Sequence, residues 1–194
     1  MPFTLLGPCE YREEIRKSRF IALAAPVNSA AEAQAFISAH SDASASHNCW
    51  AWKVGQQYRF SDDGEPGGTA GRPILAAIEA QEMNQVAVLV IRFYGGIQLG
   101  TGGLARAYGG SANKCLQAAA RRELIARVPY RCHCLFAELP VLKARLAEFD
   151  TLLEDEHYDA SGAELHLALP AARVAELQRL LADISRGRSE LLPR

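Results

Sequence analysis

Apolar and polar positions alternate in two rhythms along this chain, and the switches between them divide it into elements. Cys9 to Lys17 and Ser18 to Ala25 read as a hairpin, and Ser29-Ala30-Ala31-Glu32 has the form of a capping box opening a helix that runs to about His40. His47 to Val54 alternates with Trp50, Trp52 and Val54 on one face, and a turn at Gly55 returns the chain through Tyr58 and Phe60. The tryptophans are expected to pack beneath the first helix. Ile74-Leu75-Ala76-Ala77-Ile78 reads as a helix with Pro73 at its opening position, Val86-Ala87-Val88-Leu89-Val90-Ile91 as a buried strand, and the following helix extends to about Arg122. These elements predict an α+β layer with helices on one face of a mixed sheet.

A second pattern starts after Pro129. Tyr130 to Phe136 alternates as a strand, Pro140 opens a helix, Leu152 to Asp159 and Glu164 to Leu169 are strands, and a helix from Pro170 ends at Gly187. The order βαββα, with a short final strand through Ser189 to Leu192, predicts a ferredoxin-like split βαβ unit. The expected domains are therefore residues 1–128 and 129–194.

Composition narrows the function classes. The chain has 194 residues, is 49% hydrophobic and carries a net charge of −1, which supports a substantial core and gives no global sign of a nucleic-acid or membrane binder. Basic residues number 13 against 11 acidic up to Val128, and 8 against 11 beyond it, so any contact with RNA must come from a local patch. The run Glu154-Asp155-Glu156 reads as a solvated face. Five cysteines without disulfide-framework spacing read as reduced thiols, and the N-terminus lacks the features of a signal peptide; a cytoplasmic protein is expected.

The candidate chemistry lies in two glycine-rich connections. One is Ser61-Asp62-Asp63-Gly64-Glu65-Pro66-Gly67-Gly68-Thr69-Ala70-Gly71-Arg72-Pro73; the other, Arg92 to Gly110, holds seven glycines and two arginines. Gly95, Gly96, Gly100, Gly102 and Gly103 let a backbone approach a ligand, and amides at the start of the next helix face an anion, with Arg92 or Arg106 adding charge. The competing reading is that glycines serve tight turns and close packing. There is no Gly-Lys-Ser/Thr ending of a Walker loop. Asp62, Asp63 and Glu65 lack the spacing of a calcium loop; they read as a turn, or as partners that orient Arg72, Arg92 and Arg106. His47 and Cys49 share a strand face beside these loops, and Cys132 and Cys134 share another. Both pairs read more simply as buried thiols and a supporting histidine than as a nucleophile and base or half a metal site. No metal site, cofactor or catalytic constellation is expected.

Ser-Asp-Asp-Gly-Glu-Pro at 61–66, Gly-Thr-Ala-Gly at 68–71, and Arg-Phe-Tyr-Gly-Gly-Ile at 92–97 with Leu-Gly at 99–100 and Gly-Gly-Leu-Ala-Arg-Ala-Tyr at 102–108 resemble the YigZ/IMPACT family. The resemblance extends to Glu14–Ala22 and to Ala45-Ser46-His47-Asn48-Cys49-Trp50-Ala51-Trp52, so it spans most of the first two-thirds of the chain; Gln98 departs from it where the family often has Lys. It implies a first domain similar to the second domain of a small-subunit ribosomal protein, and a C-terminal domain similar in shape to the last domain of elongation factor G. IMPACT-like proteins compete for the activator of a stress kinase acting on translation initiation; for this chain the resemblance implies contact with RNA, the ribosome or a translation factor. Arg72, Arg92 and Arg106 would meet phosphate, the glycines would permit approach, and His47, Asp62, Asp63, Glu65, Thr69 and Tyr108 would support them. The alternative is a binder or transferase for a small phosphorylated ligand; a hydrolase using His47 with Cys49 or with the acidic loop is a third reading.

Overall fold

A computed structural model describes residues 1–194, which divide into two compact units, Met1–Leu124 and Ile125–Arg194. The division falls a few residues ahead of the expected Val128.

In the first unit, strands β1 (Phe3–Leu5), β2 (Cys9–Ile15) and β3 (Ser18–Pro26) precede helix α1 (Ala30–His40). Then come β4 (His47–Val54), β5 (Gln57–Ser61), α2 (Gly71–Ala80), β6 (Val86–Phe93), α3 (Gly100–Ala118) and β7 (Arg121–Glu123). The Ser29 half of the capping box is present, with Ser29 Oγ accepting from the Glu32 amide, while Glu32 reaches the amide of Asn28, one residue ahead of the N-cap. Five strands form one sheet in the order β2-β3-β6-β4-β5.

Two expectations are corrected here. Every pairing in that sheet is antiparallel rather than mixed, and helices cover both faces rather than one. Phe20, Ala22, Val88, Val90 and Cys49 pack with Ile74, Ile78, Tyr108 and Leu116 of α2 and α3; Leu89, Ile91 and Trp52 pack on the other face with Ala33 and Ile37 of α1. β6 is apolar at every position from Val86 to Ile91 because both of its faces are buried. The third helix stops at Ala118, and Arg121–Glu123 pairs instead with Phe3–Leu5 as a two-stranded ribbon. α2 opens at Gly71, ahead of Pro73, because Asp62 reaches its first amides from the preceding loop.

In the second unit, β8 (Val128–Leu135), α4 (Leu139–Arg145), β9 (Leu152–Tyr158), β10 (Gly162–Leu169), α5 (Val174–Ser185) and β11 (Leu192–Pro193) follow the expected order. The sheet order β11-β8-β10-β9, all antiparallel neighbours, places β8 and β9 parallel on either side of β10, a split βαβ arrangement. Cys132, Cys134, Leu165 and Leu167 meet Leu142, Leu177 and Leu181 of the two helices. α5 ends with Arg186 and Gly187 at positive φ, the left-handed stop that its glycine predicts. All five cysteines are free thiols, and no helix in the chain is long and apolar enough to cross a membrane.

Candidate functional site

The two glycine loops meet at one end of the five-stranded sheet. β6 continues its α2/α3-facing row, Val86, Val88, Val90, into Arg92, so an arginine occupies a position that packing would give to an apolar residue. Arg92 is 5% exposed. A buried guanidinium needs a counter-charge, and Glu65 supplies it: Arg92 Nη1 donates to Glu65 Oε1 at 2.7 Å, and the same oxygen accepts from the hydroxyl of buried Tyr108 at 2.6 Å. Arg92 Nη2 reaches Ser18 Oγ at 3.4 Å, and Nε, also buried, has no partner.

His47 pairs with Arg92 across the β4–β6 ladder, and its Nδ1 is 2.7 Å from the Asp63 carbonyl oxygen. A carbonyl only accepts, so Nδ1 carries the proton in the neutral ring and Nε2 presents its lone pair, 3.7 Å from Glu65 Oε1. His47, Glu65 and Arg92 line a cavity of about 500 Å³ with Tyr94, Gln98, Leu99 and Thr101. Tyr94 stands half-exposed at this cavity, its ring 5.3 Å from the Arg92 guanidinium carbon.

A neighbouring cavity of about 250 Å³ lies across Leu99, walled by Arg16, Arg106, Lys114 and Glu13. Glu13 accepts from Lys114 Nζ at 2.7 Å and from Ser111 Oγ at 2.8 Å, which holds its carboxyl below the usual range despite the opposing effect of burial. Glu13 thereby absorbs the lysine's charge and leaves Arg16 and Arg106 as the uncompensated cations of the groove. Arg16 and Lys17 form the two-residue β2–β3 turn with φ of 47° and 64°, a left-handed pair that glycine or asparagine would adopt at less cost.

Between the cavities stands the start of α3. Its N-cap residue, Leu99, offers no side-chain bond, and no acidic residue lies in its first turn. The guanidinium of Arg106 folds back over this turn: a Cβ on Gly102 would lie 3.4 Å from Arg106 Nη1. Unpaired amides, the positive end of the helix dipole and an arginine thus share one place, an arrangement that an anion would complete.

The glycines divide by role. A Cβ on Gly95 would come within 2.0 Å of the Lys17 carbonyl oxygen, so Gly95 exists for packing. Gly96 and Gly100 take φ of 91° and 74°, and Gly103 lies in the first turn of α3.

Two assignments from sequence are corrected. Asp62 and Asp63 do not orient arginines. Asp62 accepts from the amides of Gly68, Ala70 and Gly71, which with Arg72 hold its carboxyl below its ordinary value although burial opposes them. Asp63 accepts the Asn48 amide, tying the loop to β4. Of the three acids only Glu65 meets a loop arginine. Arg72 lies over the Phe60 ring at 5.4 Å and lines neither cavity. Thr69 is buried, and its hydroxyl donates to the Pro66 carbonyl at 2.6 Å within the loop. Cys49 is a buried thiol that donates to the Asp62 carbonyl at 3.0 Å, and burial, with the nearby acids, pushes it up to about 12. Sequence reasoning missed Arg16, Tyr94 and Thr101; the turn Ile15-Arg16-Lys17-Ser18, basic where a hairpin favours glycine, was the available signal for Arg16.

Known proteins match both units of the chain. The Impact N-terminal domain matches residues 16–116, and a domain of unknown function (DUF1949) matches residues 132–188. The chain is 41% identical over 195 residues to the IMPACT family member YigZ of Escherichia coli (strain K12), covering 96% of this chain and 94% of that protein. It is 43% identical over 179 residues to a Thermus thermophilus protein described as an IMPACT family member in the pol 5' region, covering 90% and 97% respectively. A crystal structure described as that of a hypothetical protein superposes with a TM-score of 0.73 at 40% identity, covering 99% of this chain and 96% of the other. With both domains matched in order and most of the glycine-loop site inside the first, the chain belongs to the IMPACT family, in its YigZ-like two-domain form.

Proposed function

We propose that the face around the start of α3 binds a phosphate-bearing partner, RNA of the translation machinery, and that the protein acts by binding rather than by catalysis. The observation that carries this reading is the uncapped first turn of α3 with Arg106 folded over it. Two positive features placed together repel each other unless an anion lies between them. Arg16 in the adjoining groove extends the charge, and half-exposed Tyr94 offers a ring on which a base can stack. The resemblance of the first domain to a ribosomal-protein domain, and of the ferredoxin-like second domain to the last domain of elongation factor G, supports a partner in translation by analogy of fold.

The test is co-sedimentation with ribosomes across a salt series. Binding should weaken steeply as salt rises and be lost in Arg106→Ala, while the melting temperature of that exposed variant stays within a degree or two of wild type. A second reading, a small phosphorylated ligand, is favoured by the cavity of about 500 Å³ over Arg92, whose Nε lacks a partner. No ribosome binding at low salt, together with a nucleotide-dependent rise in melting temperature, would replace the first reading with the second.

A further inference from the structure

The second domain carries a cluster that the glycine-loop site does not involve. β9 contains Asp155-x-His157 and β10 contains Glu164-x-His166, each pair on one face of its strand. The antiparallel register sets His166 opposite Asp155 and Glu164 opposite His157. Each histidine therefore faces a carboxylate of the other strand. The block lies on the side of the sheet away from α4 and α5, since Leu165 between its β10 members points into the core with those helices. A β-bulge beyond His166 makes this possible: it turns Leu153 toward the core while Asp155 and His157 point away from it, which strict alternation along β9 would forbid.

We propose that this block is a site for a divalent transition-metal ion, held by Asp155, His157 and His166 with Glu164 as a fourth ligand. One donor atom from each of the first three lies within 4.8 Å of the others, and Asp155 Oδ2 is 3.3 Å from His157 Nε2. Metal–ligand bonds of about 2.0–2.2 Å in a tetrahedron set donors about 3.4 Å apart, so small side-chain rotations close the set. The imidazoles already stand edge to face, ring centroids 4.7 Å apart, and Glu164 Oε1 is 3.1 Å from His166 Nε2. Two imidazoles with two carboxylates suit zinc, cobalt, nickel or copper; calcium and magnesium prefer oxygen alone. All four ligands stand on two adjacent paired strands, so the backbone is ordered before the ion arrives.

Two arginines compete with the ion. Arg131 Nη1 lies 3.5 Å from Glu164 Oε2, and Arg194 Nη1 lies 2.9 Å from His166 Nδ1. A guanidinium only donates, so Arg194 holds Nδ1 as an acceptor and leaves the neutral ring's proton on Nε2, toward Glu164. An ion bound at Nε2 requires the proton on Nδ1, and Arg194 must then move away. The site is accordingly a reversible one, in which the ion and Arg194 exclude each other at His166.

The experiment uses the full chain without an affinity tag, stripped with EDTA. Zinc is titrated by calorimetry and cobalt by visible absorption. The expected result is one ion per chain, with cobalt bands free of the thiolate charge-transfer absorption that the cysteines would give. His157→Ala and His166→Ala should each weaken binding at least tenfold. Both sites are at the surface of the sheet, and circular dichroism of the stripped variants should match the wild type, so loss of binding reports the ligands. No saturable binding, a thiolate band, or affinity unchanged in both variants would overturn the proposal.

Discussion

Replacing Glu65 with alanine tests whether the glycine-loop site is built around a buried ion pair. The side chains of Arg92 and Glu65 are 6% and 3% exposed, so the variant would leave a guanidinium in the core with no counter-charge and with Nε already unpartnered. Breaking a buried pair in this way costs about 3–5 kcal/mol. The Tyr108 hydroxyl loses its acceptor as well, worth about 1–3 kcal/mol, but both partners meet the same oxygen and the losses do not add fully. A net loss of about 4 kcal/mol is expected, a large fraction of the roughly 5–15 kcal/mol that holds a domain together. The chain's two tryptophans, Trp50 and Trp52, both lie on β4, so tryptophan fluorescence during urea unfolding follows the first unit. The variant Glu65→Leu/Arg92→Met/Tyr108→Phe, which replaces the whole polar cluster by apolar groups, should recover most of the loss. A change below about 1 kcal/mol in Glu65→Ala, the size of an exposed pair, would refute the picture of a desolvated arginine held by one carboxylate.

Asp62→Asn should destabilise the first unit at neutral pH, because the lowered carboxyl of Asp62 is stabilised by the amides it caps. A group depressed on folding stabilises above its unfolded pKa, so the wild type's advantage in urea should begin to fade near pH of about 3.9 and vanish below the folded value; an advantage independent of pH would show that the charge is irrelevant. Gly95→Ala should be far more damaging than Gly96→Ala: the added Cβ would lie 2.0 Å from the Lys17 carbonyl oxygen at the first position and meets nothing within 4 Å at the second, where only the φ of +91° is strained. Losses of more than about 2 kcal/mol and about 1 kcal/mol respectively are expected from urea midpoints, and equal losses would remove the packing role assigned to Gly95.

The elements legible in the sequence were those long enough to show a period. α1 carried its capping box, β4 its alternation and α5 its glycine stop, and each formed where those signals placed it within a few residues. β1 and β7 are three residues each, too short for alternation to be distinguished from loop. The coverage of both sheet faces was written in β6, whose unbroken apolar run requires burial on either side; His47–Val54, with core residues Cys49 and Ala51 on one face and Trp52 on the other, said the same. The pairing of an acidic loop with the arginines was legible as an idea. Which acid takes part was not, because it depends on Asp62 turning back to cap α2 and on Asp63 reaching β4, both consequences of how the loop closes in space. The histidine block of the second domain was hidden for a related reason: it needs the register of two strands and a bulge that breaks the very alternation by which faces are assigned from sequence.

The same distinction bears on how much of the glycine-rich stretch belongs to a ligand. Gly71, where a Cβ would lie 2.8 Å from the Ser61 amide nitrogen, and Gly95 are required by neighbouring backbone, and Gly109 sits against Pro73. A ligand is not needed to account for any of these three. Gly103 sits against Leu99, where a Cβ would lie 3.1 Å from the Leu99 Cβ, and Gly100 takes positive φ; what these leave unaccounted for is Gly102, in a helix start without a cap, without an acid, and beneath an arginine. The turn of Arg16 and Lys17 holds left-handed backbone on the same side, and the Lys17 carbonyl is what Gly95 accommodates. The packing glycine therefore serves the charged turn by letting the second loop come close to it. Gly95→Ala should accordingly weaken any anion binding at α3 by displacing Arg16, whereas Gly102→Ala, which leaves the β2–β3 turn in place and crowds only the Arg106 guanidinium, should act through that arginine alone.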